Sequence, residues 1–429
     1  VTGNVVVNTG VKLSIDPGVR IEFTGCFGFM VKGSVHAVGS RDKPITWRHN
    51  ATSSNCNNAF NFLKFDKPIN FLESELAHVD MDGKNRDHSY CLQTVGTIEN
   101  GNNINNNFIN NGTKFINGSM FKNCKVYFQA TYIASKLVKL TFPGLKVEST
   151  YFQVSGNYKG VIIRDGMMQS SQLESAIRYG NVYLKHFNVI DSRLRQTQYN
   201  PSSQIIIQES LLSGIEFYSS RRYYDGADYF NFGFNIQNSK ITDSYDTSSN
   251  NMKFGEFSNS IIIDSSFNGG MKEFQTCTFD FYKDPMAHRY YSKQNQYFSG
   301  QLKMVDSVIK CHNNTGENNN NAILINYGYR LYNYQTNQYE YRASEIFDTE
   351  INGCNKGVTV TSPYTVTVVN SRFINLKSFA IENTGTSKIT AINNYWDTTS
   401  PAGVAAKIWD FNDDIQKGEV LYSPFLMSP

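Results

Sequence analysis

Gly10 to Trp47 reads GVKLSIDPGVRIEFTGCFGFMVKGSVHAVGSRDKPITW, and its alternation decides the fold. Leu13 and Ile15 alternate with polar residues, as do Ile21 with Phe23, Val31, Val35 with Ala37, and Ile45 with Trp47. A two-residue period of this kind marks short strands that each bury one face. Pro17-Gly18, Gly25, Gly33, Gly39 and Pro44 turn the chain after only a few residues. No Asn-Gly or Asp-Gly joins two matched strands here, so the chain bends without reversing. Strands that bend without reversing form a coil whose turns pair in parallel.

Downstream, a polar residue, then Ser or Thr, one variable residue and an apolar residue recur. The series is Glu73-Ser-Glu-Leu, Asp191-Ser-Arg-Leu, Glu209-Ser-Leu-Leu, Asn238-Ser-Lys-Ile, Asn259-Ser-Ile-Ile, Asp306-Ser-Val-Ile, Asp348-Thr-Glu-Ile and Asn370-Ser-Arg-Phe. From Asp191 the starts lie 18, 29, 21, 47, 42 and 22 residues apart. A step near 21 suits one coil of three short strands, and 47 and 42 read as doubled coils. The polar pair is expected at the bend and the apolar residue inside the stack.

The opening stretch resembles the amino-terminal cap of extracellular β-helix proteins of the pectate-lyase-like superfamily, which carry LxIxPGVxIxF, then VxGxxxAxGS and PIxW. Leu13, Ile15, Pro17, Gly18, Val19, Ile21, Phe23, Val31, Gly33, Ala37, Gly39, Ser40, Pro44, Ile45 and Trp47 sit on that pattern. The closing stretch, from Asn393-Asn394-Tyr395-Trp396 to Phe425, is similar to the terminal segment of the same proteins, with Asp397 in place of the usual glycine. The resemblance implies an all-β chain, a single-stranded right-handed parallel β-helix, on the non-catalytic side of the superfamily. It implies one domain: cap turns over 1–48, a repeat body over 49–392 and a closing cap over 393–429. Ala402 to Phe411 has helical spacing and is expected to lie across the last turn. Caps of this type have a few more strand residues upstream of Val1, so a processed amino end is expected.

Three insertions interrupt the body near 218–232, 281–297 and 327–341, the last reading as a hairpin closed by Gln335-Thr336-Asn337. Tyr223, Tyr224, Tyr290, Tyr291, Tyr329, Tyr332 and Tyr334 make them a candidate contact surface, because tyrosine buries area while keeping a polar tip.

A net charge of +3 gives no electrostatic case for nucleic acid, and no apolar run is long enough to span a bilayer. Four sequons, at Asn50, Asn111, Asn117 and Asn313, fit a glycosylated secreted protein, and Asn352-Gly-Cys is a rarer form. Seven cysteines without CxxC spacing exclude a zinc site of the usual kind. One or two disulfides are expected near the amino end, with one thiol left free or paired between chains. Nothing in the sequence asks for a cofactor or a metal.

The weak catalytic candidates are His78, Asp80 and Asp82, on one face of Leu76–Asp82, followed by Arg86, Asp87 and His88. Carboxylates two apart on a strand lie about 7 Å apart. Lyases of the superfamily use such acids for Ca²⁺ and an Arg or Lys to take the proton. Arg193 and Arg195 share a strand face, with no companion acid visible in the sequence. No Gly-x-Ser-x-Gly, P-loop or HExxH occurs, which weighs against an enzyme. Two readings follow. The first is a structural protein of a cell-surface coat or extracellular filament that associates with itself or with neighbouring surface proteins. The alternative is a carbohydrate-binding or polysaccharide-cleaving protein. Ice binding needs repeated Thr-x-Thr ladders, and Thr365-Val-Thr367 stands alone.

Overall fold

The computed structural model describes residues 1–49, 60–66, 74–83, 89–94, 97–98, 116–132, 138–156, 158–177, 180–198, 204–221, 233–246, 253–282, 296–312, 321–326, 330–333, 338–341, 343–361 and 363–429. They form a parallel β-helix. The chain divides into two compact units: Val1–Leu211 with Arg221–Tyr223, and Leu212–Ser220 with Tyr224–Pro429.

The first coils of the first unit visit three sheets in turn. Val5–Val7, Lys12–Ile15 and Arg20–Phe23 pair in parallel with Phe29–Val31, Ser34–Val38 and Ile45–His49, one coil further on. Phe23, Val31, Val35, Ala37, Ile45 and Trp47, read as inward from their alternation, are all fully buried. Phe23 stacks at 6.0 Å on Trp47 and at 4.9 Å on Phe62. Gly33 is required by closeness rather than by a turn: a Cβ there would lie 2.1 Å from the Val11 carbonyl oxygen.

The second unit repeats the plan. Gly233–Gln237, Lys253–Ser258, Phe267–Gln275, Gln296–Val305, Ser344–Phe347 and Val366–Val369 pair in that order. Lys240–Thr242, Ile261–Ile263, Thr278–Phe281, Val308–Cys311, Glu350–Asn352 and Arg372–Ile374 run beside them.

The repeat marks the corners. Asp191, Glu209, Asn238, Asn259, Asp306, Asp348 and Asn370 all have left-handed backbone, with φ between 45° and 54°, a conformation Asn and Asp tolerate better than other side chains. The apolar residues Leu194, Leu212, Ile241, Ile262, Ile309, Ile351 and Phe373 point into the stack and are buried.

The second residue of the pair is not at the surface. Ser171 Oγ donates to the Gln169 carbonyl at 2.7 Å and accepts the Thr150 N–H at 3.0 Å. Ser192 repeats this one coil on, donating to Ile190 at 2.7 Å and accepting from Ser171 N at 3.1 Å. Each hydroxyl thus accepts a backbone N–H that the corner takes out of the ladder, while donating to a carbonyl that also accepts a backbone N–H of the preceding coil. Ser171→Ala is expected to cost about 1–3 kcal/mol, because it leaves the buried Thr150 N–H without that partner. Urea unfolding measures it, and a loss below about 0.5 kcal/mol would contradict the ladder's role.

Two spacings read differently in three dimensions. The 18-residue step from Asp191 to Glu209 joins different corners of the coil. The corner equivalent to Glu209 is His186, since Lys185 pairs with Gln208. The 42-residue step from Asp306 to Asp348 is one coil lengthened by insertions, because Val308 pairs directly with Glu350. The 47-residue step is doubled as expected, with Thr278 between Ile261 and Val308.

The insertions have narrower bounds than the sequence indicated. Glu216–Arg221 and Gln296–Val305 are strands, and Phe281 is buried at the end of Thr278–Phe281. Arg330–Asn333 and Gln338–Tyr341 form the expected antiparallel hairpin, pairing Tyr332 with Tyr339.

At the carboxyl end the helix is only Pro401–Ala405, with Ser400 Oγ capping Gly403 N at 3.0 Å. The remainder of the expected helix leaves it because Ile408–Trp409 adds a strand onto Ile381–Glu382, where Ile408 is buried. The buried Asp410 carboxylate organises the closing turns, accepting Val420 N at 2.7 Å and Asn412 N at 3.0 Å.

Cys91–Cys124 and Cys311–Cys354 are disulfides, and Cys26 is disulfide-bonded as well. Cross-linking therefore extends beyond the amino end. Among the described residues the free thiol is Cys277, which is buried, and burial pushes it up to about 11. It cannot reach a second chain.

Candidate functional site

Asp80 and Asp82 lie on the outer face of Val79–Asp82. His78 sits at a left-handed corner (φ 48°) that separates this strand from Glu75–Ala77, so Leu76–Asp82 is not one strand. Its ring lies against Gly118, where a Cβ would be 2.7 Å from Nδ1. Burial pushes the Asp80 carboxyl up, against the opposing pull of Arg48, Lys146 and His78. Asp82 belongs to a row of alternating charge in which Glu22, Arg48, Asp82, Lys122 and Glu148 are successive register partners. Arg48 meets Asp82 at 3.0 Å and Lys122 meets Glu148 at 2.8 Å. The coil therefore puts Asp82 to work holding neighbouring strands. Arg86, Asp87 and His88 lie outside the described residues. No group of three His, Cys, Asp or Glu among the described residues could hold a metal ion.

The acid that the sequence did not show beside Arg195 is Glu174, one coil back, at 3.7 Å. Tyr151 Oη donates to Glu174 at 2.7 Å and Thr197 Oγ1 at 3.1 Å. Burial, and then the Glu174 carboxylate, push the Tyr151 phenol well above its usual range, so it serves as a neutral donor rather than a base. A second cluster occupies three successive corners: His186 bonds Glu209 through Nε2 and lies 3.4 Å from Asp165 through Nδ1. Its members are about half exposed.

In the second unit the outer face is concave. Asn235, Gln237, Glu256, Ser258, Glu273, Gln275, Lys303 and Val305, with Phe257 and Phe274, line a groove of about 500 Å³. Strand alternation produces this: Phe234, Ile236, Phe257, Phe274 and Met304 go inward and are buried, sending their polar neighbours out. Two rows result from the register, Asn235–Glu256–Glu273–Lys303 and Gln237–Ser258–Gln275–Val305. Gln237 Nε2 donates to Asn235 Oδ1 at 2.8 Å, and Asn235 Nδ2 donates to Glu256 Oε2 at 3.1 Å. This relay orients the Glu256 carboxylate. Amides and carboxylates arrayed over a shallow floor can donate to and accept from many hydroxyl groups at once, and roughly 300–1,000 Å³ is the size range of small-molecule sites.

Tyr223, Tyr224, Tyr290, Tyr291, Tyr329 and Tyr334 lie outside the described residues, as do Asn50, Asn111 and Asn313. Tyr332 lies on the hairpin strand Arg330–Asn333, and Asn117 on the strand Ile116–Asn117 that pairs with Leu76–Ala77. No helix among the described residues is long and apolar enough to cross a membrane.

Fold and groove together define a parallel β-helix protein with a polar outer cleft. No protein-family model matches the sequence, and no curated protein matches it. Among solved structures the chain is similar to the A-module of a mannuronan C-5 epimerase of Azotobacter vinelandii. That match has 13% identity and a TM-score of 0.35, covering 98% of this chain and 91% of that one. It is also similar to the catalytic unit of a thermostable GH87 alpha-1,3-glucanase from Streptomyces thermodiastaticus. Here identity is 11% and the TM-score 0.29, covering 91% of this chain and 64% of the other.

Proposed function

We propose that this chain is a secreted polysaccharide-binding β-helix protein that seats a glycan in the groove of the second unit. The observation that carries the reading is the groove itself, with two rows of amide and carboxylate side chains on a rigid sheet. Such a surface meets sugar hydroxyls at fixed spacing and loses little entropy on binding. Secretion is supported by the disulfides, which persist in oxidising compartments. Glycans at Asn50, Asn111, Asn117 and Asn313 belong to the same reading. The coat-protein reading loses a support, because Cys277 is buried and unable to link chains.

Affinity electrophoresis in gels containing soluble polysaccharides tests the proposal. Retardation by at least one polymer is expected, with Asn235→Ala and Gln237→Ala each weakening it two- to tenfold, the worth of one or two hydrogen bonds. Release of reducing ends or unsaturated products over the same panel would add cleavage to binding. Unretarded migration in every gel would sink the reading.

A further inference from the structure

We propose that the groove selects uncharged glycans and rejects polyuronates, with Glu256 and Glu273 as the residues that determine this specificity. The inference rests on the glycan-binding reading above and adds the chemical class of the ligand.

The charge pattern carries it. On the outer face of the first unit, facing positions alternate in sign from Glu22 to Glu148, the arrangement that favours stability. In the groove, Glu256 and Glu273 are register partners and carry the same sign. Neighbouring strands lie about 4.8 Å apart, and like charges on facing positions cost stability. The relay Gln237–Asn235–Glu256 holds one member of this unfavourable pair in place. Among the described lining residues Lys303, next in the row, is the one cation, and no arginine contributes. The described lining is therefore net negative by one charge.

A uronate residue would bring its carboxylate against two of the same sign, without the bidentate guanidinium partner that carboxylate recognition favours. A neutral sugar meets the same two groups as hydroxyl acceptors, while Asn235, Gln237 and Gln275 supply amide donors.

The experiment is titration calorimetry on the full chain. Its probes are a soluble mixed-linkage glucan, an alpha-glucan and a galactomannan as neutral polymers, and polygalacturonate and alginate as polyuronates. Binding of a neutral polymer at least tenfold tighter than either polyuronate is expected at low salt, with the gap narrowing as salt is added. The double variant Glu256→Gln/Glu273→Gln keeps shape and leaves Lys303 as the charge among the described lining residues. It is expected to shrink the neutral-to-uronate ratio at least fivefold and to reverse the sign of its salt dependence. Glu345→Gln, in the same row beyond the groove lining, is expected to leave the ratio unchanged. Tighter binding of a polyuronate by the wild type, or an unaltered ratio in the double variant, overturns the inference while leaving glycan binding intact. Failure of all five polymers to bind overturns both.

Discussion

Asp246→Ala is expected to destabilise the second unit by about 3–5 kcal/mol, the cost of leaving a buried charge without its opposite. Asp246 and Lys272 face the interior and are 5% and 1% exposed. Burial pushes Lys272 down to about 8, and Asp246 acts against that fall. Removing the carboxylate leaves a buried ammonium group without that opposing charge. The double variant Asp246→Val/Lys272→Met is expected to recover most of the loss, because an apolar pair of similar volume needs no desolvation. Urea unfolding of Asp246→Val, Lys272→Met, their double and the wild type closes the cycle. An Asp246→Ala loss below about 1 kcal/mol would show that the carboxylate does not support Lys272.

The same lysine fixes a pH dependence. Its folded value is lower than that of the free side chain, 10.5. Between about pH 8 and pH 10.5 the unfolded chain therefore binds more protons than the folded one, and stability rises with pH. The penalty is complete below that window and relieved above it. That fall corresponds to about 3 kcal/mol. The Asp246→Val/Lys272→Met variant is expected to lack this rise.

Opening the Cys311–Cys354 disulfide is expected to cost about 4 kcal/mol, from the loop entropy of its 43-residue separation. The bond ties two adjacent coils, since Val308–Cys311 pairs with Glu350–Asn352. It therefore closes the coil that the hairpin enlarges, the place where the unfolded chain gains most freedom. Cys311→Ala/Cys354→Ala, compared with the wild type by thermal and urea unfolding, measures the effect. Equal midpoints would mean that strand pairing alone holds this coil.

Much of the architecture was legible in Gly10–Trp47 and in the repeat. Period-two alternation picks out inward residues whatever lies elsewhere in the chain, and Phe23, Val35 and Trp47 are buried accordingly. Left-handed corners have their own preferred residues, so Asn238, Asn259 and Asn370 marked them. His186 occupies such a corner too, but histidine there carries no comparable signal. The sequence places the serine after each corner at the bend, but nothing local tells that its hydroxyl takes up a backbone N–H of the preceding coil.

The groove was not legible. Glu256 and Glu273 stand 17 residues apart, Glu174 and Arg195 stand 21, and His186 and Glu209 stand 23. Coil length varies with every insertion, so no fixed offset identifies the side chain on the neighbouring coil. The sequence by itself determined which residues turn inward and where the chain bends, since both depend on a residue and its immediate neighbours. Tertiary structure alone decided which outward residues meet, because that depends on register between coils, and register is set by pairing over the whole turn.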